Sequence, residues 1–391
     1  MKPMITLYDI FGPGYLFNGR GSYQNSRWLP GSISQDSGTG SLITMAGETP
    51  LLCHRNVTRS SCLSILKDAG LPVAQEFYIY EDQKSYSRLL NALQKKNQKL
   101  IINYAHLQGE WDENQYWIKT ELLTYINNKR NLEDLVPKPY VPERKILTIQ
   151  EFRNNHSIPF EFPYVVKAAT DEPNGGGLDV CICKNVMHLQ QAKQMFKSCS
   201  HVVIEKFLPI KKNYCVQFAQ TYTGRLVYLG TAEQIINEEG KYGGNWIHAK
   251  DQPPTEAIEL CKGIMEKAVS LGYWGFSGID TVMTEDHRIF VIDLNFRQNG
   301  STGALLLRDS IMESWGVSVL KLRRWKTTLT FKECRNSVEP FIEGKMLVLI
   351  CVYNPMIPTA DNPIYISSLV VGHSKEEIKG IEREMENSGF E

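Results

Sequence analysis

Long hydrophobic runs are missing from this chain: nowhere do the roughly 18–20 uninterrupted apolar residues of a bilayer-spanning helix occur. An excess of one charge is missing as well, because 43 Lys+Arg balance 43 Asp+Glu. No sequence-independent pull toward nucleic acid or an anionic membrane surface is therefore expected. At the N-terminus, Asp9 interrupts the chain before a secretory hydrophobic core can form. Cys-x-x-Cys is absent among the nine cysteines, and the one close pair, Cys181 and Cys183, fits alternation along a strand better than a metal or redox site. The expectation is a cytoplasmic protein with buried, reduced thiols and with neither nucleic acid nor membrane as partner. With 42% of residues hydrophobic and 22% charged, a disordered chain is excluded.

At about 100–200 residues per domain, 391 residues allow two or three domains and a cleft between them. Turn residues crowd 12–41, which reads as loop. Regular alternation then begins: a helix over 58–68 stopped by Gly70, a strand over 73–80, a helix over 85–94 and a strand over 99–103. That order predicts an α/β layer. An amphipathic stretch over 112–127 and a second helical piece lead to Pro137, Pro139 and Pro142, an extended linker. Short β-rich runs follow (164–168, 180–183, 201–204, 214–221, 226–232, 278–283 and 289–294), interrupted by helices over 186–198 and 255–271. They predict an α+β domain. A last apolar run, 346–353, precedes a charged helical tail over 375–387. The expected division is an N-terminal α/β domain over 1–140, an α+β domain over 141–330 and a small α+β extension over 331–391.

The strongest chemical signal is a hairpin in which Asp280 lies on the first strand and Asp293, Asn295 and Arg297 alternate on the second. Alternation puts the last three on one face, where Asp280 can meet them from the neighbouring strand. Two carboxylates and an amide oxygen form a hard-oxygen set suited to Mg²⁺, and Arg297 suits an anion. A solvated hairpin face and a structural Asp293–Arg297 pair fit the same residues. An EF-hand does not, since Gln298 and Ala304 stand where its glycine and glutamate belong. A second signal is Lys167 at the end of an apolar strand, followed by Gly175, Gly176 and Gly177. A buried lysine calls for an anion, and a glycine hairpin can bring backbone N–H groups against phosphate; an unliganded flexible tip is the plain alternative. The third signal is the run Ile204-Glu205-Lys206-Phe207-Leu208-Pro209, an apolar strand breaking into a connector that can receive a flat purine.

In this order the three pieces resemble the ATP-grasp fold, over roughly residues 129–325. The resemblance implies ATP held between two α+β subdomains, with magnesium (two ions, Mn²⁺ an acceptable substitute) bridging its phosphates. Carried over, Lys167 resembles the phosphate-binding lysine, Gly175–Gly177 the flap over the phosphates, and Glu205, Lys206, Phe207 and Leu208 the adenine hinge. Asp280, Asp293 and Asn295 match the metal ligands and Arg297 the arginine facing the reacting group. Lys129 is the candidate for a second ATP-binding lysine. The acidic residue that usually meets the ribose is replaced by the stretch Lys211-Lys212-Asn213, leaving Asn213 for that role, and Asp293 stands where glutamate is common.

Most members of this fold join a carboxylate to an amine through an acyl phosphate, because a carboxylate cannot expel oxide at neutral pH. The resemblance thus implies an ADP-forming ligase, looser likeness pointing to the peptide ligases of bacterial specialised metabolism in which a pre-ATP-grasp domain comes first. Amino-acid or peptide substrates and a homodimer would follow. The run 242–248, with two glycines, Asn245, Trp246 and His248, suits a lid, His248 being a candidate base. Ser301 and Thr302 begin a loop-to-helix turn suited to a substrate carboxylate. A phosphotransferase acting on a hydroxyl and a non-catalytic nucleotide-binding regulator are the alternatives.

Overall fold

The structure is a computed structural model of residues Met1–Glu391 and describes all of them except 25–26, 155–157 and 237–241. Three sheets follow one another along the chain. The first holds β1 (Tyr15–Asn18), β2 (Leu51–His54), β3 (Phe77–Tyr80) and β4 (Lys99–Ile102), all parallel, in the order β3-β2-β1-β4. The inner strand β2 is buried throughout, as a parallel sheet with two covered faces requires, while the edge strand β3 is half-buried with Ile79 exposed.

The second sheet is antiparallel: β5 (Arg144–Thr148), β6 (Tyr164–Ala169), β7 (Val180–Cys183) and β8 (His201–Lys206), in the order β5-β8-β6-β7. The third contains β9 (Ile210–Gln220), β10 (Leu226–Ile236), β11 (Tyr242–His248), β12 (Gly275–Thr284), β13 (Ile289–Asn295), β14 (Val319–Thr327), β15 (Leu347–Tyr353) and β16 (Ile364–Gly372). Its order is β13-β12-β9-β10-β11-β14-β16-β15, so β13 is an edge. A parallel α/β layer followed by two α+β layers is the fold class the alternation of elements predicts.

Packing divides the molecule differently from the sheets. One continuous core joins the first sheet to the third, through residues such as Phe11, Leu16, Ile101, Val216, Phe276 and Leu349. The second sheet has a core of its own, around Phe152, Tyr164, Phe196, Val202 and Ile204. One residue of that core, Trp28, comes from the loop after β1.

Several local expectations change. Within 12–41 the chain forms β1 and a helix, Ser32–Gly38, despite its turn-rich composition, because Leu16 and Phe17 are buried in the main core. The 112–127 stretch is helical only over Thr120–Asn127, after a single 3₁₀ turn. The run 242–248 is not a loop but strand β11, hydrogen-bonded between β10 and β14. Its second glycine serves close packing: a Cβ on Gly244 (φ +126°) would come within 2.3 Å of the Leu322 carbonyl oxygen. Among the described residues no helix is long and apolar enough to cross a membrane.

Candidate active site

Strand β12 lies between β9 and β13, with Asp280 directly opposite Asp293 and Gly278 opposite Asn295. Because side chains alternate along a strand, Asp280, Asp293 and Asn295 share one face of the third sheet. Asn295 Nδ2 donates to Asp280 Oδ2 at 3.2 Å, and Gln234 Nε2 donates to Oδ1 at 2.9 Å. Burial, then the negative charge of Asp293, pushes the Asp280 carboxyl up to about 7. Burial would raise Asp293 too, but Lys129 and Lys167 outweigh it and bring its pKa below the ordinary value.

Two lysines reach this face from other parts of the chain. Lys129 opens a 3₁₀ turn that Asn128 caps with its side chain. Its ammonium lies 3.0 Å from Asp293 Oδ2, 2.9 Å from Asp179 Oδ2 and 3.5 Å from Asn174 Oδ1. Burial works against that charge, yet Asp179 and Asp293 together raise its pKa above the ordinary lysine value. Lys167, on β6, pairs with Glu205 Oε2 at 2.6 Å and donates to the Ile292 carbonyl at 2.7 Å. Glu205, on the neighbouring β8, is buried and also lies 3.7 Å from Arg144. Arg297 stacks over Tyr104 at 5.4 Å and donates to Asn127 Oδ1 at 3.2 Å. It borders a small cavity of about 30 Å³ lined also by Tyr104, Leu123, Thr170 and Pro173.

Gly175, Gly176 and Gly177 lie in the connection between β6 and β7, the first buried and the other two exposed with φ +69° and +73°. The hinge continues β8 into β9: Lys206 is exposed beside Glu143, and Phe207 is 37% exposed. Asn213 is buried on β9 and shares the face of Cys215, opposite Asp280. Outward backbone groups of the edge strand β13 are taken up locally. Lys167 meets the Ile292 carbonyl, Asp293 Oδ1 accepts from Leu294 N–H, and Asn127 Oδ1 accepts from Phe296 N–H.

The remaining sequence candidates separate. Asn245 pairs with Gln234, whose side chain reaches Asp280, so Asn245 lies on the site face; it is buried and accepts from the Tyr242 hydroxyl. His248 instead lies 3.4 Å from Glu233, the strand neighbour of Gln234, and Glu233 also pairs with Lys212 and Lys375. Neighbouring residues on a strand face opposite ways, so the structure does not bring His248 to the metal-ligand face. Ser301 and Thr302 are buried and committed internally: Gln217 Nε2 donates to Ser301 Oγ at 2.8 Å, and Thr302 Oγ1 donates to Gln217 Oε1 at 2.7 Å. Sequence reasoning missed Asp179, which follows the glycine run and grips Lys129. Its one readable signal was a charged residue at the start of an apolar strand.

Lysines facing paired acids across two antiparallel sheets, one of them bearing a glycine-rich connection, define an ATP-grasp protein. Two family models bear on the particular enzyme: "L-aspartate--L-methionine ligase, ATP grasp" matches residues 142–295, and "L-aspartate--L-methionine ligase N-terminal domain" matches residues 6–124. The chain belongs to the ATP-grasp carboxylate–amine ligases, ADP-forming enzymes that make C–N bonds. Solved structures share the fold at low identity. N5-carboxyaminoimidazole synthetase from Staphylococcus aureus, complexed with ADP, is 13% identical with TM-score 0.58, covering 99% of this chain and 98% of that one. L-amino acid ligase from Bacillus licheniformis is 12% identical with TM-score 0.52, at 96% and 97% coverage. Biotin carboxylase from Campylobacter jejuni is 13% identical with TM-score 0.59, at 93% and 88%.

Proposed function

We propose that the chain condenses L-aspartate, as the carboxylate, with L-methionine, as the amine, through an acyl phosphate. The substrates follow the description of the two matching family models. The observation that supports the mechanism is that Asp280, Asp293 and Asn295 share one sheet face, with Lys129 paired to Asp293 and Lys167 bonded to the adjacent Ile292 carbonyl. The carboxylate oxygen attacks the γ-phosphorus of ATP and ADP leaves; the methionine amine then attacks the acyl carbon, and phosphate departs.

Each side chain has a physical role in that sequence. Lys167 and Lys129 exchange their present carboxylate partners for phosphate oxygens, holding the triphosphate in line. Arg297, planar and anchored by Asn127 and Tyr104, faces the reacting group from the side of the small cavity. The donor set fits magnesium: two carboxylates opposite each other, one with its pKa raised by burial and then by the other's charge, together with an amide oxygen. Bound there by Asp280, Asp293 and Asn295, the metal would offset negative charge on the transferring phosphoryl group. Glu205, Lys206, Phe207 and Leu208 line the adenine end, with Asn213 toward the ribose and the glycine flap over the phosphates.

The test is to incubate the protein with ATP and Mg²⁺ in the presence of L-aspartate, L-methionine, both or neither. The expected result is ADP, phosphate and the dipeptide mass only when both amino acids are present. Release of AMP and pyrophosphate, or a phosphorylated amino acid as the stable product, would overturn the reading.

A further inference from the structure

We propose that Trp28, carried by the N-terminal domain, is a positioning residue that holds the glycine flap closed over the acyl phosphate. The inference rests on the ligase reading above but names a residue outside the nucleotide and metal sites. The second sheet, which carries the flap, is joined to the rest of the chain through the segments that precede β5 and follow β8. Trp28 adds a non-covalent tie to those that Lys129 makes with Asp179 and Lys167 with the Ile292 carbonyl. Its ring is 2% exposed, belongs to the core of the second sheet and lies 5.6 Å from Phe196.

The tie reaches the flap directly. Gly175 N–H donates to the Trp28 carbonyl at 2.9 Å. A Cβ on Gly175 would lie 3.7 Å from Leu29, and one on Gly176 would lie 3.8 Å from Pro30, so the flap backbone packs on the residues after Trp28. Arg27 stacks 4.6 Å over the Trp28 ring and reaches Glu172, at the entry to the flap, at 3.5 Å.

Side chains close the base of the strap, the loop that carries Trp28. Gln35 accepts from Gly21 N–H at 3.2 Å and donates to the Pro30 carbonyl at 2.9 Å, linking both limbs of the loop. Next to it, buried Arg20 is fixed by Asp36 at 2.7 Å. A loop cinched at its neck in one domain and anchored by an indole in another transmits position, because neither end can slide freely. Water admitted by a loosened flap would hydrolyse the acyl phosphate before the amine attacks.

The experiment compares wild type, Trp28→Ala, Trp28→Phe and Gln35→Leu. Phosphate released per dipeptide formed is measured with ATP, Mg²⁺, L-aspartate and L-methionine, and ADP affinity by equilibrium dialysis. Trp28→Ala is expected to raise phosphate per dipeptide by about fivefold or more and to weaken ADP about tenfold, Trp28→Phe to restore both. Gln35→Leu, which leaves the core of the second sheet intact and decides the matter if Trp28→Ala does not fold, is expected to move both by about two- to threefold in the same direction. Wild-type stoichiometry and ADP affinity in the folded variants would overturn the proposal, even with lowered melting points. Should wild type form no dipeptide, the substrate reading fails separately, and ADP affinity alone then judges the strap.

Discussion

Replacing Lys167 by methionine separates what this residue does for the fold from what it does for the reaction. In the structure its ammonium is 2.6 Å from Glu205, with side chains 8% and 4% exposed. Removing one member of a buried pair costs about 3–5 kcal/mol, because the other is left charged in a poorly solvating environment. Here Arg144, 3.7 Å from Glu205, retains part of the compensation. The expected loss is therefore about 3 kcal/mol, the lower end of that range, or roughly 4 °C in melting midpoint for 391 residues. The double variant Lys167→Met/Glu205→Gln removes both charges and should recover more than half of that loss. Neither variant recovers turnover, since the ammonium that meets the phosphoryl group is missing in both, a deficit of about 10²–10³-fold or more. Thermal melts followed by circular dichroism and a coupled ADP assay give the two readouts. Equal melting points for single and double variants would refute the pairing argument; preserved turnover in Lys167→Met would refute the role in phosphate binding.

Asp293→Ala and Asn295→Ala should each abolish Mg²⁺-dependent ADP formation while leaving a cooperative melt, and unchanged activity in both would remove the proposed metal site. Thr302→Val loses bonds to Gln217 and to Asn299 N–H, so about 1–3 kcal/mol of stability should go with KM for both amino acids unchanged; a selective rise in one KM would return Thr302 to the substrate site. His248→Gln should leave kcat within about twofold, because the imidazole lies on the sheet face away from Asp280. Glu233, hydrogen-bonded by His248 and flanked by Lys375 and Lys212, has its carboxyl pushed down to about 2. A depressed carboxylate stabilises the fold above its unfolded pKa and ceases to do so as pH falls through the folded one. The melting-point gap between wild type and Glu233→Gln should thus be complete at neutral pH and close between about pH 4.5 and 2. A gap that persists at the acid end would contradict the pairing.

The parts of this site that could be read from sequence are those whose geometry is local. Alternation along β13 puts Asp293 beside Asn295 without any knowledge of the rest of the chain, and the glycine run announces a tight loop wherever it is folded. Non-local partners were illegible. Nothing in the neighbourhood of Asp179 points to Lys129, fifty residues earlier, and nothing around Trp28 names Phe196 as its neighbour. The misreading of 242–248 as a lid has a different cause: glycine serves open loops and tight strand packing alike, and only the closeness of the Leu322 carbonyl decides between them. Ser301 and Thr302 show the same ambiguity for hydroxyls, which suit an incoming carboxylate until Gln217 is found beside them.

The position of β13 at the rim of the third sheet carries a cost that recurs with every catalytic cycle. Outward peptide groups at its end and just beyond are bonded by Lys167, Asp293 and Asn127, two of which the chemistry must recruit for other work. An exposed strand rim is a template for pairing with a second polypeptide. With the site empty those side chains cap the rim, and once Lys167 turns to phosphate the bound nucleotide itself has to keep a second strand away.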